Sequence, residues 1–140
     1  FPKSHDAVDP HSFTVSTGEI TIGIFTDLGM ACQNVTSHFN ICRAAFLETN
    51  YDEKMLEEGR YPAFLKKRIK GDFGHLSNTQ ALELFVNHRS AHLSHLFLSH
   101  ISAENNNPEI VKELFDKHAG NTRIEIASRF EETKLFSIEG

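Results

Sequence analysis

Short apolar runs alternate along the chain with polar, glycine-marked breaks, and each change of pattern marks an element. Ser12-Phe13-Thr14-Val15-Ser16 and Glu19-Ile20-Thr21-Ile22-Gly23-Ile24-Phe25 are β-rich runs joined at Thr17-Gly18, which predicts a hairpin. Thr26-Asp27-Leu28-Gly29 follows as a polar loop, and a helix is expected across Cys32 to Phe39. Ala44-Ala45-Phe46-Leu47 is an unbroken apolar run that fits a buried strand, ending in Glu48-Thr49-Asn50-Tyr51-Asp52.

The middle of the chain reads as helices. Glu53 to Glu58 predicts a short one stopped by Gly59, and Pro62 opens a second through Ile69 before Gly71-Asp72-Phe73-Gly74 breaks it. Ser77-Asn78-Thr79-Gln80 has the form of a capping box, followed by Ala81, Leu84 and Phe85 at helical spacing. A strand is expected from Leu93 to Ser99, ending at His100. Asn107-Pro108-Glu109 supplies a cap, a first-turn proline and an acid at a helix start; Ile110, Val111, Leu114 and Phe115 form its apolar face, and Gly120 ends it. Arg123 to Ala127 and Leu135 to Ile138 predict two closing strands. Strands and helices alternate without linker or repeat, so the fold class is α/β in a single unit. Four or five helices are too many for one side of so short a sheet, which predicts cover on both faces.

Composition narrows the class. The 140 residues are 39% hydrophobic and 24% charged, ordinary values for a globular domain. No apolar run approaches the roughly 18 residues of a membrane span, so no membrane partner is expected. Cys32 and Cys42 lack a CxxC spacing and read as reduced thiols of a cytoplasmic protein rather than a zinc ribbon. The net charge of −5 argues against a general polycation, yet a local basic stretch or a bound metal leaves nucleic acid open. Nine histidines are the outlier. The chain opens on Phe1 and enters at once into Pro2-Lys3-Ser4-His5, the start expected of a fragment or processed product.

Three polar residues share one context, the end of a strand-like run: His5, Asp27 and His100. Loops beyond strand ends host ligands because rigid strands aim their last side chains into a crevice. Two imidazoles and a carboxylate suit zinc or manganese. Polar residues at strand ends are also commonplace, so spacing alone carries little weight.

Longer motifs carry more. Ser4-His5-Asp6-Ala7, Thr26-Asp27-Leu28-Gly29 and Leu98-Ser99-His100-Ile101-Ser102 resemble, in order, three successive motifs of metallo-β-lactamase-fold phosphodiesterases. Leu47-Glu48-Thr49-Asn50-Tyr51-Asp52, Gly59-Arg60-Tyr61-Pro62, Gly74-His75-Leu76-Ser77-Asn78 and His100 through Asn107 are similar to the bacterial exonuclease branch associated with a cell-wall two-component operon. The resemblance implies the C-terminal half of an αββα sandwich, a mixed sheet with flanking helices over residues 1–140. It implies two divalent metal ions, zinc or manganese, in a cleft between two αβ halves. His5 would ligate one ion and His100 the other, while Asp27 would bridge both, since a neutral imidazole offers a single free lone pair. The ions would activate water against a phosphodiester. The catalytic residues are then Asp27 and His75, with His75 beside the cleft.

The sequence departs from that family in two places. The His-x-His-x-Asp-His string that supplies the remaining ligands occurs nowhere in the chain, and Tyr51 stands where relatives typically carry His. Three ligands spread over two metal positions close neither site, so the fragment alone is expected to be inactive. The expected partners are the missing N-terminal half, DNA as the substrate of the longer protein, and a second copy through the exposed sheet face.

Other clusters have plainer explanations. Lys66, Lys67, Arg68 and Lys70 read either as a solvated helix face or as a phosphate grip. Glu104 and Asn105, close behind His100, are candidate substrate contacts, and Asn107 reads as a helix cap. His88, His92 and His95 are spaced for one helical face, but the helix-to-strand connection falls among them. Two other functional readings remain: a metallo-hydrolase of a small ester or cyclic phosphodiester, and a non-catalytic half-fold interaction module.

Overall fold

The computed structural model describes residues 1–139. Five strands form one mixed sheet in the order β1 (Phe13–Thr17), β2 (Ile20–Phe25), β3 (Ala44–Glu48), β4 (His95–Ser99), β5 (Arg123–Ile126). The hairpin β1–β2 is antiparallel, with Phe13 opposite Ile24 and Val15 opposite Ile22, and Gly18 supplies the left-handed turn at φ 58°. The pairs β2–β3, β3–β4 and β4–β5 are parallel, so their C-terminal ends line up on one edge. Five helices connect them: α1 (Gln33–Phe39), α2 (Glu53–Glu58), α3 (Ala63–Lys70), α4 (Asn78–His88) and α5 (Pro108–Asp116). The expected caps form: Ser77 and Gln80 make a capping box, and the Asn107 side chain accepts from the Glu109 amide.

Alternation along the strands separates two faces. Phe25, Ala45, Leu47, Leu96, Leu98 and Ile124 form one buried cluster with Val35 and Phe39 of α1, Leu84 and Phe85 of α4, and Val111 and Phe115 of α5. That places three helices on a single face and corrects the expectation of cover on both. Residues of α2 and α3 do not join the cluster, so the number of helices overstated what the sheet must accommodate. The opposite face carries Ile22, Ile24, Phe46 and Phe97, continued on β1 by Phe13 and Val15, which are 60% and 65% exposed.

Several boundaries also move. The β4 strand begins at His95 rather than Leu93, and α5 ends at Asp116 rather than near Gly120. Gly120, at φ 58°, serves the turn into β5 instead. Residues 135–138 form no strand. Phe136 packs edge-on against Phe97, centroids 5.0 Å apart, so the apolar sheet face captures this segment before any strand edge does. His5 lies in an irregular segment rather than at a strand end. No helix among the described residues is long and apolar enough to cross a membrane.

Candidate metal centre

Parallel pairing brings three side chains to one edge. Asp27 lies two residues beyond β2, Glu48 closes β3, and His100 follows β4 directly. Asp27 and His100 both take the left-handed region, at φ 54° and 53°, and they are the only non-glycine residues to do so among those described. A side chain other than glycine is strained there, and such strain concentrates where surrounding structure dictates a side-chain direction.

His5 reaches the same place by hydrogen bonds rather than by a strand. Its segment threads between two loops: the Gly29 amide donates to Ser4 O at 2.7 Å, Ser4 Oγ donates to Asp72 O, and the Asp6 amide donates to Phe73 O. The close approach needs glycine, since a Cβ on Gly29 would lie 2.1 Å from Asp72 O and one on Gly74 would lie 2.2 Å from Ile69 O. His75 leaves the same turn just before the α4 cap, its amide on Ile69 O at 2.9 Å.

Glu48 is the hub, and it is a residue that sequence reasoning missed. Its side chain is fully buried; Oε2 accepts from the Leu28 amide at 2.6 Å, and Oε1 faces Nδ1 of His75 at 2.7 Å and Nδ1 of His100 at 2.6 Å. Burial pushes the carboxyl pKa up, but the hydrogen bonds from His100, His75 and Leu28 outweigh burial and hold it below its ordinary value. The same contact with Glu48, against the opposing effect of burial, raises the His100 pKa. A carboxylate only accepts, so both imidazoles carry hydrogen on Nδ1 and, when neutral, keep a free lone pair on Nε2. His5 is set in the same way, its Nδ1 lying 2.9 Å from Gly74 O. The signal available in the sequence was an acid at the end of an otherwise apolar run, Ala44-Ala45-Phe46-Leu47-Glu48.

The three imidazoles form a row, with His75 centred 5.2 Å from His5 and 5.2 Å from His100. Asp27 Oδ1 lies 3.7 Å from His5 Nε2 and 3.7 Å from His100 Nδ1. Two ligands sharing an ion through bonds of roughly 2.0–2.2 Å are separated by about as much as His5 Nε2 and Asp27 Oδ1. Asp27, Glu48, His75 and His100 each bring one donor atom within 4.8 Å of the others. Glu48 fits the role of support better than that of ligand, because it is sealed from solvent and already accepts three hydrogen bonds. Carboxylates that orient ligating histidines have this arrangement. The donor set therefore fits a divalent cation on its exposed side, at Asp27 and the Nε2 atoms of His5 and His100, which leaves Nε2 of His75 open to the cleft.

A further charge was not anticipated. The Lys3 ammonium donates to Thr26 O at 2.5 Å; burial lowers its pKa, while the nearby Asp27 and Glu48 carboxylates oppose that shift.

A cleft of about 450 Å³ opens beside the histidines, lined by His75, His100, Arg68, Asn105, Glu104 and Arg129 among others. Of the sequence candidates for substrate contact, Arg68, Glu104 and Asn105 line it. Lys66 and Lys67 instead border a separate shallow hollow on α3. Arg68 Nε donates to Asp6 Oδ2 at 2.5 Å, which holds the Asp6 carboxyl below its usual range. Lys66 Nζ donates to Glu57 O, and Lys70 pairs with the Glu57 carboxylate. Tyr51 is 3% exposed, and burial pushes its phenol pKa up to about 12. Helix α4 ends at His88 while His95 lies in β4, so the face that His88, His92 and His95 would share does not form.

Two relatives give the arrangement a context. The chain is 30% identical over 112 residues to exodeoxyribonuclease YycJ of Bacillus anthracis, covering 80% of this chain and 42% of that protein. It is 32% identical over 114 residues to exodeoxyribonuclease WalJ of Streptococcus pneumoniae, covering 81% of this chain and 41% of the relative. The resemblance drawn from the Gly-Arg-Tyr-Pro and Gly-His-Leu-Ser-Asn strings is thereby borne out, and the chain spans about two fifths of the length of these relatives. No protein-family model matches it.

Proposed function

We propose that this chain, a relative of the exodeoxyribonucleases YycJ and WalJ, is the C-terminal half of a metal-dependent phosphodiesterase of the metallo-β-lactamase fold, acting as a DNA exonuclease. The observation that carries the proposal is the pair of histidines held on one buried carboxylate, His75 and His100 on Glu48, with Asp27 strained into place beside them. A structural ion pair needs no such pair of imidazoles on one sealed acid.

The roles follow from the donor atoms. His5 and His100 would hold the metal through Nε2, and Asp27 through its carboxylate. Zinc or manganese, two ions in the intact protein, suits this nitrogen and oxygen set, which lacks a thiolate. When bound, such ions supply an activated water and offset charge on the attacking and leaving oxygens. His75 would handle the proton: with Nδ1–H held by Glu48, its Nε2 lone pair takes a proton from the attacking water, and the imidazolium so formed passes that proton to the departing oxygen. Arg68, held by Asp6, offers the remaining edge of its guanidinium to the cleft, and Asn105 and Glu104 border the substrate's path. The two unpaired thiols support a cytoplasmic setting.

The exposed face of Ile24, Phe13 and Val15 suits the remaining three fifths of such a protein, whose own half packs there. A fragment left alone pairs with a second copy through the same face, and sedimentation as a clean monomer at high concentration would count against this. The nuclease reading is tested by following nucleotide release from duplex DNA by the intact protein. Activity confined to small esters would overturn it.

A further inference from the structure

Beside the charged cleft lies a second hollow of about 710 Å³ with a mostly apolar wall, including Ile101, Ala103, Pro108, Ile126 and Phe130. The two cavities share the His100–Ala103 segment and Arg129. Arg129 is fixed on that common wall, its Nη2 donating to Ile101 O at 2.7 Å, and the rest of its guanidinium has no hydrogen-bond partner among the described residues. Phe130 stands at the lip, 87% exposed, and makes no aromatic pair among the described residues. Asn105 faces elsewhere. It is 2% exposed, and its Oδ1, which has no hydrogen-bond partner, is packed toward Gly59 and away from any ligand in the cleft.

We infer that the two hollows receive one terminal nucleotide of the DNA substrate, its base in the apolar hollow against Phe130 and its phosphate at Arg129. This rests on the nuclease reading and adds to it a seat for an unpaired base. The occupant must be flat and apolar yet joined to an anion, because the apolar wall and the guanidinium meet at a single ridge. A nucleotide has that form, and a base stacks on an aromatic ring whatever its identity. The volume suits one small ligand and is too small for a duplex end. The end is therefore frayed before cleavage.

The test compares the intact protein with Phe130→Ala and Phe130→Tyr on two oligonucleotides, one ending in a normal nucleotide and one ending in an abasic site. The wild type should show a KM roughly tenfold lower for the base-bearing end, the size expected for one stacked base. Phe130→Ala should abolish that difference, and Phe130→Tyr, which keeps the ring, should retain it. Arg129→Ala should raise KM for both ends. Equal KM values for both ends in the wild type, or an unchanged preference in Phe130→Ala, would overturn the base seat while leaving the nuclease reading intact. Failure of the wild type to cleave either oligonucleotide would overturn both.

Discussion

Asp27 and His100 come from strands separated by β3, yet each takes a left-handed backbone and their Oδ1 and Nδ1 atoms lie 3.7 Å apart. In the proposed metal site this backbone strain has a use, since it turns both side chains toward one crevice. Asp27→Asn keeps a residue that tolerates positive φ and removes only the charge. The expected outcome is a stability change within about 1 kcal/mol, read by denaturant unfolding, together with at least a tenfold loss of Mn²⁺ or Zn²⁺ affinity by calorimetry.

Glu48 should behave in the opposite way, as a residue whose loss damages the fold. Glu48→Ala removes the acceptor of three hydrogen bonds from a sealed site and should cost about 3–5 kcal/mol in chemical denaturation.

The titration of the same group gives a pH signature for the metal-free protein. The Glu48 carboxyl is held below its ordinary value of 4.5, so its contribution is present above 4.5 and is lost as pH falls through the lower folded value. His100 is raised above 6.5, so its contribution is complete below 6.5 and is lost as pH rises through the higher folded value. Thermal unfolding should therefore show greatest stability between those two pH values, and Glu48→Gln should flatten both limbs.

Behind the site, Asn78 and Asn106 exchange reciprocal amide hydrogen bonds of 3.0 and 2.8 Å, and Asn106 also donates to Thr49 O. These bonds tie the start of α4, the loop after β3 and the loop after His100 into one body. Asn106→Ala should cost about 1–3 kcal/mol, the penalty for unpaired buried polar groups. The loss would appear as faster amide exchange in the loop that carries His100.

Much of this was legible in the sequence because it is local. The hairpin at Gly18, the Ser77 capping box and the Asn107 cap each depend on a few neighbouring residues. The role of Glu48 was not legible. Its partners Leu28, His75 and His100 lie 20, 27 and 52 residues away, and an acid at a strand end reads as a polar terminus until those distances close. The one-sided helix cover was hidden for a similar reason: Phe46 and Phe97 read as core, although they face the uncovered side. The family motifs named His5, Asp27 and His100, but only the fold reveals the strain on two of them.

The basic stretch divides by geometry. Arg68 borders the cleft and is paired with Asp6, Lys67 at the separate hollow makes no ion pair among the described residues, and Lys66 and Lys70 are engaged with Glu57. In DNA binding by the intact protein, Lys67→Ala should reduce the salt slope by about one, and Arg68→Ala, whose charge Asp6 already offsets, by less.

The central claim is that Asp27 holds a metal on which DNA hydrolysis depends. It is tested most directly by nucleotide release from duplex DNA, using intact protein stripped with chelator and then titrated with Mn²⁺ or Zn²⁺. The account predicts that release ceases on chelation and returns with metal in the wild type, while Asp27→Asn stays inactive throughout. Undiminished release in chelator, or an Asp27→Asn protein that matches the wild type, would contradict it.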